Sequence, residues 1–186
     1  MNRRRRLWWI GAAVLLAAVV MTFAAVGFGP WRAHWLTKEG AAFLAEGRYA
    51  PAARRFAQAV ALAPEDARAH FQLGLAYAEL GEHVAARRHL EDAVRLAPRR
   101  AQYEVGLASL LLDDGRFPEA IPHLRAALAL EPHAADVRLL MAEALRRTGD
   151  RAGMTEEYQT AARLAGASAL GALAREQLHA AEGADR

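Results

Sequence analysis

Seven histidines are the side chains of this 186-residue sequence that are best suited to hold a metal ion or to transfer protons. His83 and His89 are six positions apart, so on a helix turning by about 100° per residue they face about 120° away from each other. His89 and His123 hold the same position in successive repeated units, which is typical of an outward or inter-helix position. We therefore predict that the histidines are structural, with no metal site and no cofactor.

Other side chains that perform catalysis are scarce or occur in patterns typical of helix ends. The sequence has no cysteine, and it contains no glycine-rich phosphate loop and no G-x-S-x-G nucleophile motif. Asp113 and Asp114 adjoin at a predicted turn, while Glu156 and Glu157 lie where a helix begins and where acidic side chains favour the helix dipole. We predict that the protein is not an enzyme and has no small-molecule substrate.

The positive charge of the chain is concentrated at its N-terminus. The formal net charge is +3, but residues 1–32 contain five arginines and no acidic residue, which leaves 19 basic against 21 acidic residues in the rest of the chain. A nucleic-acid-binding surface needs a basic stripe on the folded part to displace counterions from phosphates. We therefore predict no nucleic-acid partner.

Residues 7–29 form an uncharged and largely apolar run. As a helix this run is about 34 Å long at about 1.5 Å per residue, enough to cross a hydrocarbon core of about 30 Å. Tryptophans flank it on both sides, where amphipathic rings favour the membrane interface. The run therefore predicts an N-terminal transmembrane signal-anchor helix. The residues expected to anchor it are Leu7, Trp8, Trp9, Leu15, Phe23, Phe28 and Trp31.

Residues 1–6 contain four arginines, more than the basic residues just beyond the apolar run. The positive-inside rule then places this basic tail in the cytoplasm and everything after Pro30 across the inner membrane, in the periplasm. A cleavable signal peptide shares the basic start and the apolar run, but its apolar core usually has about 7–15 residues. We favour the uncleaved anchor, with a cytoplasmic array as the alternative topology.

The remainder of the sequence repeats with a period of about 34 residues, a length typical of repeat architectures. The endings AVALAP, AVRLAP and ALALEP each close with a proline, and the glycines recur in the same register. Within each unit the apolar residues recur at intervals of three and four, which predicts two amphipathic helices joined by a short glycine turn. In the third unit Pro118 suits a first helical turn, whereas Pro122 is expected to kink or delay that helix.

This pattern resembles the tetratricopeptide repeat family. The second unit carries the family's pattern at Leu73, Gly74, Tyr77, Gly81, Ala86, Leu90, Ala93 and Pro98. The resemblance implies an all-α fold, a right-handed superhelical array of helix hairpins behind the transmembrane helix. The units are expected at residues 33–66, 67–100, 101–134 and, in degenerate form, 135–166, followed by a capping helix at 167–182 whose apolar stripe is Leu170, Leu173, Ala174 and Leu178.

The resemblance also implies that a partner binds along the first helices of the hairpins, which line the concave groove of such arrays. The positions carried over to this sequence are Arg68, Phe71, Gln72, Leu75, Gln102, Val105, Ser109, Leu112, Leu139 and Glu143. Family members that grip a C-terminal carboxylate use lysines and asparagines here, but this sequence has only Lys38 and Asn2. The expected ligand is therefore an extended or helical apolar segment of another protein.

Together these features predict a membrane-anchored scaffold or assembly factor for protein partners at the outer, periplasmic face of the inner membrane. The alternative is a permanent structural subunit of a larger membrane complex.

Overall fold

A computed structural model describes residue 15 and residues 29–183, except for the side chain of Glu182. The predicted basic tail and nearly all of the predicted anchor at 7–29 lie outside the described residues. No helix within the described part is long and apolar enough to cross a membrane. The chain is helical over residues 29–45, here α1, and continues as α2 (Tyr49–Leu62), α3 (Ala67–Glu79), α4 (His83–Leu96), α5 (Ala101–Asp113), α6 (Phe117–Leu130), α7 (Ala135–Thr148), α8 (Arg151–Ala165) and α9 (Ala169–Gly183).

The described residues form an all-helical solenoid of hairpins, without strands, in one constant register. The second helices α2, α4, α6 and α8 begin at the equivalent residues Tyr49, His83, Phe117 and Arg151. The expected delay at Pro122 is wrong, because α6 begins in register at Phe117 and runs through that proline. Pro122 has no N–H to donate to the preceding turn, but the burial of Ala120 and Leu124 holds the helix against its neighbours.

A glycine in left-handed conformation reverses the chain inside each hairpin. Gly47, Gly81, Gly115 and Gly149 have φ angles of 70°, 76°, 73° and 85°. A side chain with a Cβ atom is strained in this region, which explains why glycine recurs there. The backbone N–H of Glu82 donates back to the carbonyl of Tyr77, and that of Asp150 to the carbonyl of Leu145, so the turns also satisfy open helical carbonyls.

The core of each hairpin is built from one repeated column of side chains. In the first three hairpins a small residue, Ala52, Ala86 or Ala120, allows the two helices to approach, and one large residue four positions later fills the space between them. The fourth hairpin has the buried Met154 in place of the alanine. The large residues of this column are buried in all four hairpins, namely Phe56, Leu90, Leu124 and Tyr158.

The last helix, α9, packs against α8 and α7 and so covers the end of the array. Ser168 accepts a hydrogen bond from the backbone N–H of Gly171 at 3.2 Å and thereby caps α9. Ala174 is fully buried, but Leu173 is 44% exposed, so its expected place in the packed stripe is wrong. The helix therefore packs along a narrower stripe than the sequence pattern predicts.

Candidate functional site

The first helices α3, α5 and α7 lie side by side and contact one another, so they form one continuous surface, here the first-helix face. Apolar side chains in its centre are half-buried rather than fully packed, which leaves part of each available for contact. Of the positions predicted to bind a partner, Arg68 and Gln102 are exposed, whereas the half-buried ones are Gln72, Leu75, Val105, Ser109, Leu112, Leu139 and Glu143.

Phe71 is the exception among the predicted contact residues. Its side chain is 4% exposed and its ring packs against Tyr103, with ring centroids 4.8 Å apart. Gly106 on α5 makes room for it, because a Cβ atom at that glycine would lie 2.6 Å from the Phe71 ring. Phe71 therefore belongs to the core between α3 and α5, and its prediction as a groove residue is corrected here.

One end of the first-helix face carries a fixed cluster of charges. Glu143 accepts two hydrogen bonds of 2.7 Å from the guanidinium of Arg146, and Arg147 lies 3.3 Å from the same carboxylate. A two-point Arg–carboxylate contact of this kind fixes both side chains. Glu143 is thus held by its own helix, which lowers its availability to a partner.

Polar pairs join the two helices within the second, third and fourth hairpins. Each pair links the fourth residue of the first helix to the seventh residue of the second helix. The pairs are His70–His89 at 3.2 Å, Glu104–His123 at 2.8 Å and Arg138–Glu157 at 2.7 Å. Of the two positions predicted for His89 and His123, outward or inter-helix, the structure shows the inter-helix one.

Two of these pairs also bind the end of the preceding hairpin. His70 Nε2 lies 3.1 Å from the carbonyl oxygen of Pro64, and Arg138 donates to the carbonyl of Pro132 at 3.0 Å. A carbonyl oxygen only accepts hydrogen bonds, so the contact fixes the hydrogen of His70 on Nε2. These residues therefore connect successive hairpins as well as the two helices of one hairpin.

The sequence pattern does not identify His70 as a site residue, although it is the most buried of the paired histidines, with 6% exposure. The available signal was its separation from His89, because Glu104 and His123 of the next unit have the same separation. His83 instead contacts Asp114 of the next hairpin, which agrees with the predicted divergence of His83 and His89.

Tetratricopeptide repeat models match residues 37–101 and 111–153 of this chain. No curated protein matches it in sequence.

Solved structures of tetratricopeptide arrays share the fold. MamA 41-end from Desulfovibrio magneticus RS-1 is 19% identical, with a TM-score of 0.67 over 83% of this chain and 96% of that one. The first TPR of Spaghetti (RPAP3), bound to the HSP90 peptide SRMEEVD, is 17% identical, with a TM-score of 0.62 over 64% and 98%. An O-GlcNAc transferase mutant from Thermobaculum terrenum is 24% identical, with a TM-score of 0.66 over 73% of this chain but only 26% of the transferase. The two matched segments, together with the hairpins in constant register, show that the chain belongs to the tetratricopeptide repeat family.

Proposed function

We propose that this protein is a membrane-anchored scaffold or assembly factor that binds an apolar segment of another protein on its first-helix face. The observation that carries the proposal is the row of half-buried apolar side chains along this face, Leu75, Val105, Leu112 and Leu139. An array of this family serves protein–protein interaction, and a groove of apolar side chains with polar neighbours suits an amphipathic or extended segment.

The chemistry of the face argues against an acidic C-terminal peptide as the ligand. The RPAP3 structure holds the peptide SRMEEVD, which ends in an acidic residue. The first-helix face of this chain has no lysine and no asparagine, and Arg146 is already paired with Glu143. We therefore propose a ligand segment with apolar anchors rather than a terminal carboxylate.

The uncharged run at residues 7–29 supports an anchored location. Four arginines ahead of this run favour a cytoplasmic N-terminus and an array on the periplasmic side of the inner membrane. An anchor confines the array to the membrane surface and raises its effective concentration for membrane-bound partners.

The test is crosslinking and pull-down from intact membranes, comparing the full-length wild type with a Leu75→Glu plus Leu112→Glu variant. A matched control places the same charges on second helices, as Val84→Glu plus Leu130→Glu, where the side chains are 78% and 38% exposed. We expect partners to be lost from the first variant and retained by the control, with unchanged helicity in both. Retention of all partners by the first variant would move the binding site away from this face.

A fusion of alkaline phosphatase to the C-terminus tests the location separately, because this reporter is active only outside the cytoplasm. An active fusion supports the periplasmic array, and an inactive but stable fusion supports the reverse topology. A permanent structural subunit, the second candidate, predicts that the same partners co-purify in detergent at fixed stoichiometry with both variants.

A further inference from the structure

Three metal-binding side chains converge within the second hairpin. They are His70 on α3 and His89 and Asp92 on α4, and one ligand atom from each lies within 4.8 Å of the other two. His70 Nδ1 is 3.2 Å from His89 Nδ1 and 3.6 Å from the Oδ2 atom of Asp92. Residues that are distant in the sequence are thus gathered at one point between two helices.

The hydrogen-bond partners of this cluster aim lone pairs at its centre. His70 Nε2 donates to the Pro64 carbonyl, so Nδ1 of the neutral ring presents a lone pair to His89 and Asp92. Such a carbonyl contact on the outer ring nitrogen is the usual support of a metal-binding histidine. Arg95 donates to the other carboxylate oxygen of Asp92 at 2.7 Å, which leaves Oδ2 for the centre.

Hydrogen bonds within the cluster satisfy only part of the hydrogen-bonding capacity of its three side chains. An N–H on His89 Nδ1 can donate to His70 Nδ1, but His70 then has no hydrogen left for the facing carboxylate oxygen of Asp92. A cation at the centre would be coordinated by all three groups.

Contrary to the sequence prediction that the histidines bind no metal, we propose that His70, His89 and Asp92 form a binding site for a divalent transition-metal ion of the zinc type. Imidazole and carboxylate ligands lie about 2.0–2.2 Å from zinc, so two ligand atoms in tetrahedral geometry are about 3.3–3.5 Å apart. Two of the three separations, 3.2 and 3.6 Å, bracket this value, and the third, between His89 and Asp92, is within 4.8 Å. The ion therefore fits between α3 and α4 with only side-chain adjustment.

Solvent can reach the cluster from the side of His89. An open depression of about 720 Å³ reaches His89 and is lined by Tyr77, Arg88 and Glu91 among others. Water can occupy the fourth coordination position, as in sites with three protein ligands. The ion would link α3 to α4 and stiffen the hairpin that carries the proposed partner-binding residues Gln72 and Leu75.

The next hairpin provides an internal control for this inference. His123 occupies the position of His89, but its partner is Glu104, and Ala126 stands where the second hairpin has Asp92. The same helix position is thus filled without a third ligand. Metal binding should depend on the second hairpin alone.

The experiment titrates Zn²⁺ into the full-length protein in detergent, freed of metal and chelator, by calorimetry. Co²⁺ is titrated in parallel, because its visible absorption bands report tetrahedral nitrogen and oxygen ligation. We expect one equivalent to bind, with at least a tenfold weaker affinity in His89→Gln and in the near-isosteric Asp92→Asn. The matched His123→Gln variant should bind as the wild type does, and circular dichroism should show that each variant retains its helices.

The proposal is overturned if the wild type binds no Zn²⁺, or if the His89 and Asp92 variants bind it as tightly as the wild type. It is also overturned if Co²⁺ binds without tetrahedral bands, since the ion would then be held by exposed histidines. Should His89→Gln lose its helices, Asp92→Asn and the Co²⁺ spectrum of the wild type still decide the question.

Discussion

Replacement of Gly74 by alanine should destabilise the protein, and this effect should largely disappear when Leu90 is truncated. A Cβ atom at Gly74 would lie 2.7 Å from Leu90 Cγ and 3.1 Å from the carbonyl oxygen of Ala86. Leu90 is fully buried and cannot move aside without displacing its neighbours. The glycine is therefore matched to the leucine that it faces across the hairpin.

The magnitude follows from two opposing effects. Inserting a methyl group into a packed core costs about 1–3 kcal/mol, while alanine in a helix is favoured over glycine by about 0.8–1.0 kcal/mol. Gly74→Ala alone should thus destabilise the protein by about 1 kcal/mol, and Leu90→Ala alone by about 3 kcal/mol. In the Leu90→Ala background the contact with the Leu90 side chain is gone and only the 3.1 Å contact with the carbonyl oxygen of Ala86 remains. Gly74→Ala should then be close to neutral, a coupling of about 1 kcal/mol.

The assay is urea unfolding of the four full-length proteins in the same detergent, followed by far-ultraviolet circular dichroism. A control cycle uses Ala108→Gly and Leu124→Ala, the equivalent positions of the third hairpin, where alanine already faces leucine. We expect near additivity in that control, within about 0.5 kcal/mol. The reasoning is refuted if Gly74→Ala has the same effect with and without Leu90.

Three further predictions concern single side chains or pairs. Burial raises the pKa of Tyr158 above its ordinary value of 10.0. The stabilising contribution of this side chain is therefore complete below pH 10.0 and is lost as the pH rises through the raised pKa. In alkaline solution the free energy of unfolding should fall more steeply with pH for the wild type than for Tyr158→Phe. Gly149→Ala should cost about 1–2 kcal/mol, because φ is 85° there, whereas Gly183→Ala should change the melting temperature little. A double-mutant cycle with Arg138→Met and Glu157→Gln should give a coupling energy of about 1 kcal/mol, the upper end of the range for partly exposed ion pairs. A coupling energy that does not change at high salt would contradict an ion pair.

The repeat register could be predicted because its signals are local. Each left-handed glycine lies between two apolar stripes, so Gly81 or Gly115 defines its turn without reference to any other hairpin. The delay predicted at Pro122 is wrong because that prediction takes into account only the backbone hydrogen bond that a proline cannot donate. It does not include the burial of Leu124 that keeps the helix in place.

The candidate site was less accessible to sequence reasoning because it depends on contacts between hairpins. Phe71 has the position of a groove residue, but the space that buries its ring is created by Gly106 in the next hairpin. The separation of His70 and His89 in the sequence matches neither the helical period nor the period of the repeat. The contact between these histidines can be recognised only by comparing the two helices of one hairpin with those of the next.

The polar pairs between helices contribute to the choice of packing partner, which the repeated apolar residues leave undetermined. Apolar columns such as Ala86 with Leu90 and Ala120 with Leu124 are interchangeable, so they cannot by themselves select which second helix packs on which first helix. The polar pairs do not distinguish α4 from α6, because both helices carry a histidine at this position. They do distinguish α6 from α8: α5 packed on α8 would place Glu104 opposite Glu157, two carboxylates with no cation between them. Like charges in such positions are strongly disfavoured, and misassembly between repeats is the characteristic failure of repeat proteins. The Arg138–Glu157 pair therefore disfavours an exchange of α8 with α6, a specificity that the repeated alanines and leucines lack.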